Sequence, residues 1–433
     1  MSRSFFRSRV LASLTLVQPR RNEWYSARRV ARPSDLIHDW NAAAGAPARG
    51  VELLDDTLRD GLQNASVRQP DSAERAELLG LMAEIGVSTA NLGLPAAGAR
   101  AFEECLASCQ AVERARLPLS VACAGRTLES DLLPIIELSQ RTGVKIEAHT
   151  FVGSSPVRAH AEDWDAALIR RRAETAITLL VRAGLPVTFV TEDTTRSKPE
   201  TLSDLFKLAL GAGAERLCLC DTVGHTTPAG AARLVGFTRT IVAESGVKAA
   251  IDWHGHNDRG LALANALAAI DAGVDRVHAT ALGVGERVGN TPLELLALNL
   301  VLTGTFRGNP RRLVPYARHA AKVLGWDIAP NYPLLGENAF RTATGVHAAA
   351  ILKAEGKDRE LADIVYSGVP AALFGREQQI CIGAMSGASN VVYWLQAHGI
   401  AVKDTLVRAV LERAKGSDHI LSDEEIFRVI RET

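Results

Sequence analysis

The sequence predicts a closed (β/α)8 barrel with a small, mostly helical C-terminal subdomain. Three observations lead there. Between Val51 and about Thr305, short apolar, β-branched-rich runs alternate with longer segments of helical period. That alternation implies parallel strands, because each parallel crossover needs a dozen or more residues. The short runs number eight in roughly 255 residues, which is the size of one closed barrel. An open doubly wound sheet would begin on a Gly-rich turn, whereas the first turn here, Asp56–Gln63, is charged.

In chain order the strand-like runs are Val51–Asp56, Thr89–Leu94, Leu117–Ala124 and Lys145–Val152, then Pro186–Thr191, Arg216–Asp221, Ala249–His254 and Arg276–Leu282. Helical period recurs in Ala73–Ile85, Trp164–Ala183, Leu202–Ala212, Ala229–Ser245 and Leu261–Ala272. Gly86, Gly143, Gly184, Gly213, Gly246 and Gly273 stand where helix C-termini expect them. Past Thr305 the rhythm changes. Gly308–Arg312 and Ala329–Pro333 read as linkers, Asn338–Glu355 as helical and Asp363–Gly375 as loop-like. Ser389–Gly399 and Asp404–Lys415 read as helices, and Ser422 with Glu425 opens a last one with a capping box. The expected divisions are a basic extension over 1–46, a catalytic barrel over 47–305, a linker and subdomain over 306–400, and a helical tail over 401–433.

Composition narrows the function. The chain carries 49 basic and 49 acidic side chains, a formal charge of zero, which argues against a nucleic-acid partner. No run of 18 apolar residues is free of polar breaks, so no membrane span is expected. The six cysteines include no CxxC pair and suit a reducing compartment. Residues 1–33 hold eight Arg and one acid, Glu23, the composition of a mitochondrial transit peptide. An Arg-rich chain of bacterial type explains the same extension, so the expected address is cytoplasmic, with the mitochondrial matrix as the alternative.

In such a barrel, chemistry gathers on the loops that follow the strands. The seventh strand ends in His254-Gly255-His256, and residues two apart in a strand share a face, so both imidazoles can meet one metal ion. Asp60, at the first strand's end, adds a carboxylate and Asn290 a neutral oxygen. Nitrogen and oxygen donors without thiolate suit Mg, Mn, Zn or Co and do not separate them. Cys218 and Cys220 share a face by the same rule but sit before the strand's end, so they read as small core or barrel-lining residues.

Asp56-Thr57-Leu58-Arg59-Asp60-Gly61 with Gln63, then His254-Gly255-His256-Asn257, then Gly285-Glu286-Arg287 with Gly289-Asn290, resembles the DRE-TIM metallolyase superfamily, whose fold is the TIM barrel. Within it the chain is similar to the 2-isopropylmalate and homocitrate synthases over residues ~50 to ~400. The resemblance implies a divalent metal held by Asp60, His254, His256 and Asn290, and condensation of acetyl-CoA with a 2-oxo acid. It makes Arg59 the stabiliser of negative charge on oxygen, Thr222 the holder of the substrate carboxylate and Glu192 an acid/base group, with Gln63 at the substrate. Gly336-Glu337-Asn338-Ala339-Phe340, Gly345-Val346-His347 and Tyr366 resemble the synthases' appended subdomain, so His347 and Tyr366 are expected to assist proton movement at the acetyl methyl. A homodimer is implied, because in these synthases the tail of one subunit reaches the other's barrel.

Departures from the pattern bear on substrate. Thr342-Ala343-Thr344 stands where His-Glu-Ser or His-Lys-Ala is usual, Asn91 where strand two carries Glu, and Leu62 where Glu is common. Arg158 replaces the His of isopropylmalate synthases, as an arginine does in homocitrate synthases. A cation there would offset the desolvation of a distal carboxylate. The expected acceptor is therefore oxaloacetate, 2-oxoglutarate or phosphinopyruvate, as in a Re-type citrate or phosphinomethylmalate synthase, with 2-oxoisovalerate the alternative. A lyase of the hydroxymethylglutaryl-CoA type would carry Cys in the loop Gly283–Asn290, which has none. A biotin-dependent carboxyltransferase would want a biotin module. A chain ending soon after its helical tail leaves no leucine-sensing domain, so leucine feedback is not expected.

Overall fold

The computed structural model describes residues 36–38, 40 and 50–433, and the basic extension falls largely outside them. Residues 50–433 lie within one compact unit; residues 36–38 and 40 belong to another.

Eight parallel strands close in sequence order. They are β1 (Glu52–Asp55), β2 (Thr89–Asn91), β3 (Ser120–Arg126), β4 (Glu147–Gly153), β5 (Val187–Glu192), β6 (Arg216–Asp221), β7 (Ala250–Gly255) and β8 (Arg276–Ala279). Closure is made by β1 on β8, with Asp55 opposite Ala279. All eight fall inside the expected runs or within two residues of them.

The helices that cover the barrel are α1 (Ser72–Ile85), α2 (Ala99–Ala115), α3 (Glu129–Thr142), α4 (Pro156–Ala161), α5 (Ala166–Arg182), α6 (Pro199–Gly211), α7 (Pro228–Ser245), α8 (Ala262–Ala272) and α9 (Leu293–Leu302). Local chemistry sets their ends. Asp71 and Glu74 form a reciprocal capping box on α1, and Thr227 caps α7, whose first residue is Pro228. Gly86 ends α1 at φ 89°, and a Cβ there would lie 2.7 Å from Gly308 Cα, so both conformation and space require glycine. Gly143, Gly246 and Gly273 are likewise left-handed caps, while Gly184 and Gly213 follow their caps by one residue.

Beyond the barrel come α10 (Leu313–Leu324), β9 (Arg341–Thr342), α11 (Gly345–Glu355), α12 (Arg359–Ile364), β10 (Gln379–Ile380), α13 (Ala388–Ala397), α14 (Asp404–Lys415) and α15 (Asp423–Glu432). The helix expected over Asn338–Glu355 begins only at Gly345. Its first residues are taken by β9, which pairs in parallel with β10, and a pairing between segments 38 residues apart has no local signature. Helix α12 intrudes by two residues on the expected loop at Asp363. The capping box of Ser422 and Glu425 forms as expected.

One apolar core fills the space between barrel and shell, with Phe189, Phe206 and Trp253 fully buried. A smaller core around Val391, Leu395, Val410 and Ile426 holds α13–α15 together. Tyr316 on α10 donates its hydroxyl to the buried Asp55, and Tyr332 donates to Glu294 at 2.5 Å. No described helix is long and apolar enough to cross a membrane.

Candidate active site

The loops at the C-terminal ends of the strands surround a cavity of about 270 Å³. Asp60 reaches it from the turn after β1, which is wound back on itself by its own N–H donating to Asp56 O at 2.9 Å. That turn is tied to the loop after β8 by Ala281 N–H donating to Thr57 Oγ1 at 2.8 Å. Strand β7 and its first following residue deliver His254 and His256 on one face, as the extended backbone's period of two requires.

The three side chains converge. Asp60 Oδ2 stands 3.2 Å from His254 Nε2 and 3.4 Å from His256 Nε2, and the two nitrogens are 3.3 Å apart. All three residues are buried. Ligand atoms around one small divalent cation stand roughly 3 Å apart, given bonds of ~2.1 Å. Asp60 Oδ2 also makes no well-formed hydrogen bond, although buried carboxylate oxygens normally do. Asn290 sits beside His256 in a β-bridge; its Nδ2 donates to Val284 O at 3.1 Å, which leaves Oδ1 buried without a partner. Acceptor atoms buried without donors, next to two imidazoles, are the set a divalent cation satisfies. A second group, Asp56, His254 and His278, also lies close together. Asp56 is already engaged by Arg59, so the Asp60 set fits better.

The electrostatics follow from burial and charge. Burial alone would raise the Asp60 carboxyl, but the Arg59 guanidinium and the two imidazoles hold it far below its ordinary value. Burial opposes a charged His254, yet its contact with Asp60 wins and raises it. His256 is pushed down to about 4 by burial, so it stays neutral with a lone pair free. Arg59 donates through Nε to Asp56 Oδ1 at 3.1 Å, and its Nη2 is 3.7 Å from Asp60. Its head is therefore fixed at the cavity edge.

The other expected residues divide. Arg59, Gln63, Glu192 and Thr222 line the cavity with the metal set. Thr222 Oγ1 accepts from Asp193 N–H at 2.8 Å, and burial raises the Glu192 carboxyl although Arg158 opposes it. Arg158 is not on the cavity wall. It lies across the end of β4, where a Cβ on Gly153 would meet its Cγ at 2.4 Å, and it pairs with Glu162 at 3.0 Å. Its Nε is 3.9 Å from Glu192, so it reaches the site only through that carboxylate. His347 and Tyr366 stack on each other with ring centres 4.0 Å apart, and neither lines the cavity.

Asn91 and Glu286, singled out above only within motifs, also line the cavity; Leu94, Phe151, His149, His278 and, as cavity residues, Cys218 and Cys220 were not anticipated. His149 and His278 had a signal, since each stands two residues after a charged residue in an apolar strand, as His256 stands after His254. The Gly285–Asn290 loop earns its glycines: a Cβ on Gly289, at φ 92°, would lie 1.8 Å from Gly283 O. Arg287 in this loop and Leu282 just before it adopt φ of 56° and 58°, a strained backbone of the kind that collects at functional sites. Arg287 closes it by pairing with Asp258 at 2.8 Å and donating to Thr222 O at 2.6 Å.

Comparisons with known proteins bear on the family and the fold. The HMGL-like family profile matches residues 50–313. A Methanopyrus kandleri protein provisionally named (R)-citramalate synthase is 32% identical over 88% of this chain and 71% of its own length. The homocitrate synthase of the same organism is 29% identical over 88% of this chain and 92% of its own. The HMG-CoA lyase of Brucella melitensis shares the fold with a TM-score of 0.52 at 18% identity, over 64% of this chain and 99% of that one. With a barrel of this kind, a matched stretch that spans most of the chain and the DRE-type motif at its rim, the chain belongs to the HMGL-like, DRE-TIM family.

Proposed function

We propose that this protein is a divalent-metal-dependent condensing acyltransferase that joins acetyl-CoA to a 2-oxo acid bearing a second anionic group, giving a 2-hydroxy diacid and free CoA. The observation that carries the reading is the Asp60 Oδ2, His254 and His256 set beside a fixed Arg59 inside one cavity. A bound divalent cation, held by these residues with Asn290, would supply Lewis-acid polarisation of the acceptor carbonyl.

The chain's own residues do the rest. Arg59, held by Asp56, needs no reorganisation to face negative charge developing on the acceptor oxygen. Thr222 and Gln63, both on the cavity wall, orient the acceptor carboxylate. Glu192, whose burial favours the protonated form, holds or releases a proton at the cavity wall. Arg158, next to Glu192, is the cation available for a distal carboxylate entering from the rim. His347 and Tyr366 stack in the segment we assign as the appended subdomain, 306–400, and act on the acetyl methyl of the partner subunit's site in a homodimer.

A second reading, condensation with an acceptor of apolar side chain such as 2-oxoisovalerate, has its own support. Leu94, Phe151 and Val190 give the cavity an apolar wall, and Arg158 stands outside it. Thiol release from acetyl-CoA, measured over a panel of 2-oxo acids with metal present, separates the two. Release with oxaloacetate or 2-oxoglutarate supports the first and release with 2-oxoisovalerate alone the second. No release with any acid removes both.

A further inference from the structure

The turn Ala281–Gly283 leads from β8 into the loop that carries Arg287 and Asn290, and its middle residue has a backbone that leucine rarely adopts. Leu282 sits at φ 58° and ψ 12° with its side chain buried. A bulky residue keeps a left-handed backbone only where its surroundings over-determine it. Two buried carboxylates do so here. Leu282 N–H donates to Glu294 Oε2 at 2.9 Å. Ala281 N–H, one residue earlier, donates to Thr57 Oγ1 at 2.8 Å, and Thr57 N–H donates to Asp55 Oδ1 at 2.8 Å. Asp55 and Glu294 are both fully buried.

Each carboxylate is backed by a tyrosine from beyond the barrel. Tyr316 on α10 donates to Asp55 Oδ2, and Tyr332 donates to Glu294 Oε1 at 2.5 Å. The second contact stands where the chain leaves for the subdomain. Segment 329–338 is folded on itself: Tyr332 N–H donates to Ala329 O, Gly336 N–H to Tyr332 O and Asn338 N–H to Pro330 O, each at 2.9 Å. A Cβ on Gly336 would lie 2.4 Å from Pro330 O, so the fold is tight. From the subdomain side, Arg376 Nη1 donates to Leu334 O at 2.9 Å. The place of the Tyr332 hydroxyl is therefore set by how the subdomain is seated, and the carboxylate it meets holds the turn before the site loop with its other oxygen.

The loop passes the constraint on. Asn290 N–H donates to Gly283 O at 2.8 Å and its Nδ2 to Val284 O at 3.1 Å, so Asn290, beside His256, is fixed by the two residues that follow Leu282. We propose that Glu294 is a positioning residue: backed by Tyr332, it holds Leu282 and with it the Gly283–Asn290 loop, so that the seating of segment 329–338 sets the Asn290 side of the metal set. The part concerning metal rests on the reading given under Proposed function; the part concerning the loop does not. Removing the tyrosine hydroxyl leaves a buried carboxylate oxygen without its donor, and the carboxylate must shift or take up a proton, which loosens its hold on Leu282.

Three variants of the full-length chain test this: Tyr332→Phe, Glu294→Ala and Glu294→Gln. Glutamine keeps an acceptor for Leu282 N–H, and its amide can donate to the Tyr332 hydroxyl, which accepts as well as donates. In metal-free protein, amide hydrogen exchange across 282–290 should quicken roughly fivefold in Tyr332→Phe, the worth of one hydrogen bond, and further in Glu294→Ala. Glu294→Gln should stay within about twofold of the wild type. Peptides from β4 and β5 should not change in Tyr332→Phe or Glu294→Gln. Mn²⁺ affinity by calorimetry should fall in the same order as loop exchange rises. A tyrosine that only adds stability would lower the thermal midpoint and leave loop exchange alone; that result, or a rise in Tyr332→Phe spread evenly over the barrel, overturns the proposal. So does Glu294→Gln matching Glu294→Ala. A wild-type chain that binds no Mn²⁺ removes the metal reading, while the exchange pattern still decides the role of Glu294.

Discussion

Two layers of buried charge sit one above the other inside this barrel, and they are finished differently. In the lower layer Arg276 donates to Glu147 at 2.9 Å and to Asp252 at 2.9 Å, and Asp252 also receives Arg216 and His278. Both carboxylates there have several donors. In the upper layer, two residues further along the same strand β7, Asp60, His254 and His256 face one another with Asp60 Oδ2, His254 Nδ1, His256 Nδ1 and the neighbouring Asn290 Oδ1 lacking hydrogen-bond partners. Burial makes an unpartnered polar atom costly. The lower layer has removed that cost and reads as structure. The upper layer keeps it, which is what a site awaiting a ligand looks like.

The largest expected contrast comes from Asp60→Asn. Calorimetric binding of Mn²⁺ and all thiol release should be lost, while the thermal midpoint of the metal-free protein moves by only a few degrees, since roughly 1 kcal/mol shifts a domain of this size ~2–4 °C or less. A collapse in stability of the size expected for Arg276 would erase the distinction between layers. Arg276→Met is the reverse case. It strands two buried carboxylates and should cost about 3–5 kcal/mol in urea unfolding; a cost below ~1 kcal/mol would mean the lower layer is not the brace described here.

Arg158→Leu sharpens the upper layer's edge. If that cation serves a distal carboxylate, KM for the dianionic acceptor should rise roughly tenfold, the worth of one charge-assisted contact, with little change for 2-oxoisovalerate. Equal changes for both acids would refute the role.

The smallest effect tests a third buried carboxylate. Burial pushes Asp55 up to about 6 despite hydrogen bonds from Thr57 and Tyr316. Its proton is thus held more tightly folded than unfolded, so its contribution is complete below pH ~4 and is lost as pH rises through 6. Between pH 8 and pH 5 the wild-type protein should gain on the order of 1 kcal/mol relative to Asp55→Asn. A gap between the two proteins that stays flat with pH would sink this assignment.

Much of the barrel was legible because its signals are local. Each strand is a short apolar run, most helices end on a cap or a glycine, and the paired imidazoles announce themselves two residues apart. The β9–β10 ladder and α10 were not, since the first joins distant segments and the second follows a stretch that reads as linker. Arg158 shows the limit within the site: its residue type suggested a cation for a distal carboxylate, but its place outside the cavity depends on the α4 turn and Glu162.

Amino-acid order alone therefore determined the eightfold alternation, the closing glycines and the candidate donors, because backbone propensity and side-chain period act over a few residues. Which donors meet was decided only by closure of the barrel. Glu147, Asp252 and Arg276 come from three strands, as do Asp252, Cys218 and His278, and nothing along the chain says that they share one interior layer. Pairing β1 with β8 brings those inward positions to a common axis, and burial there then forces each charge to find a partner or to wait for one.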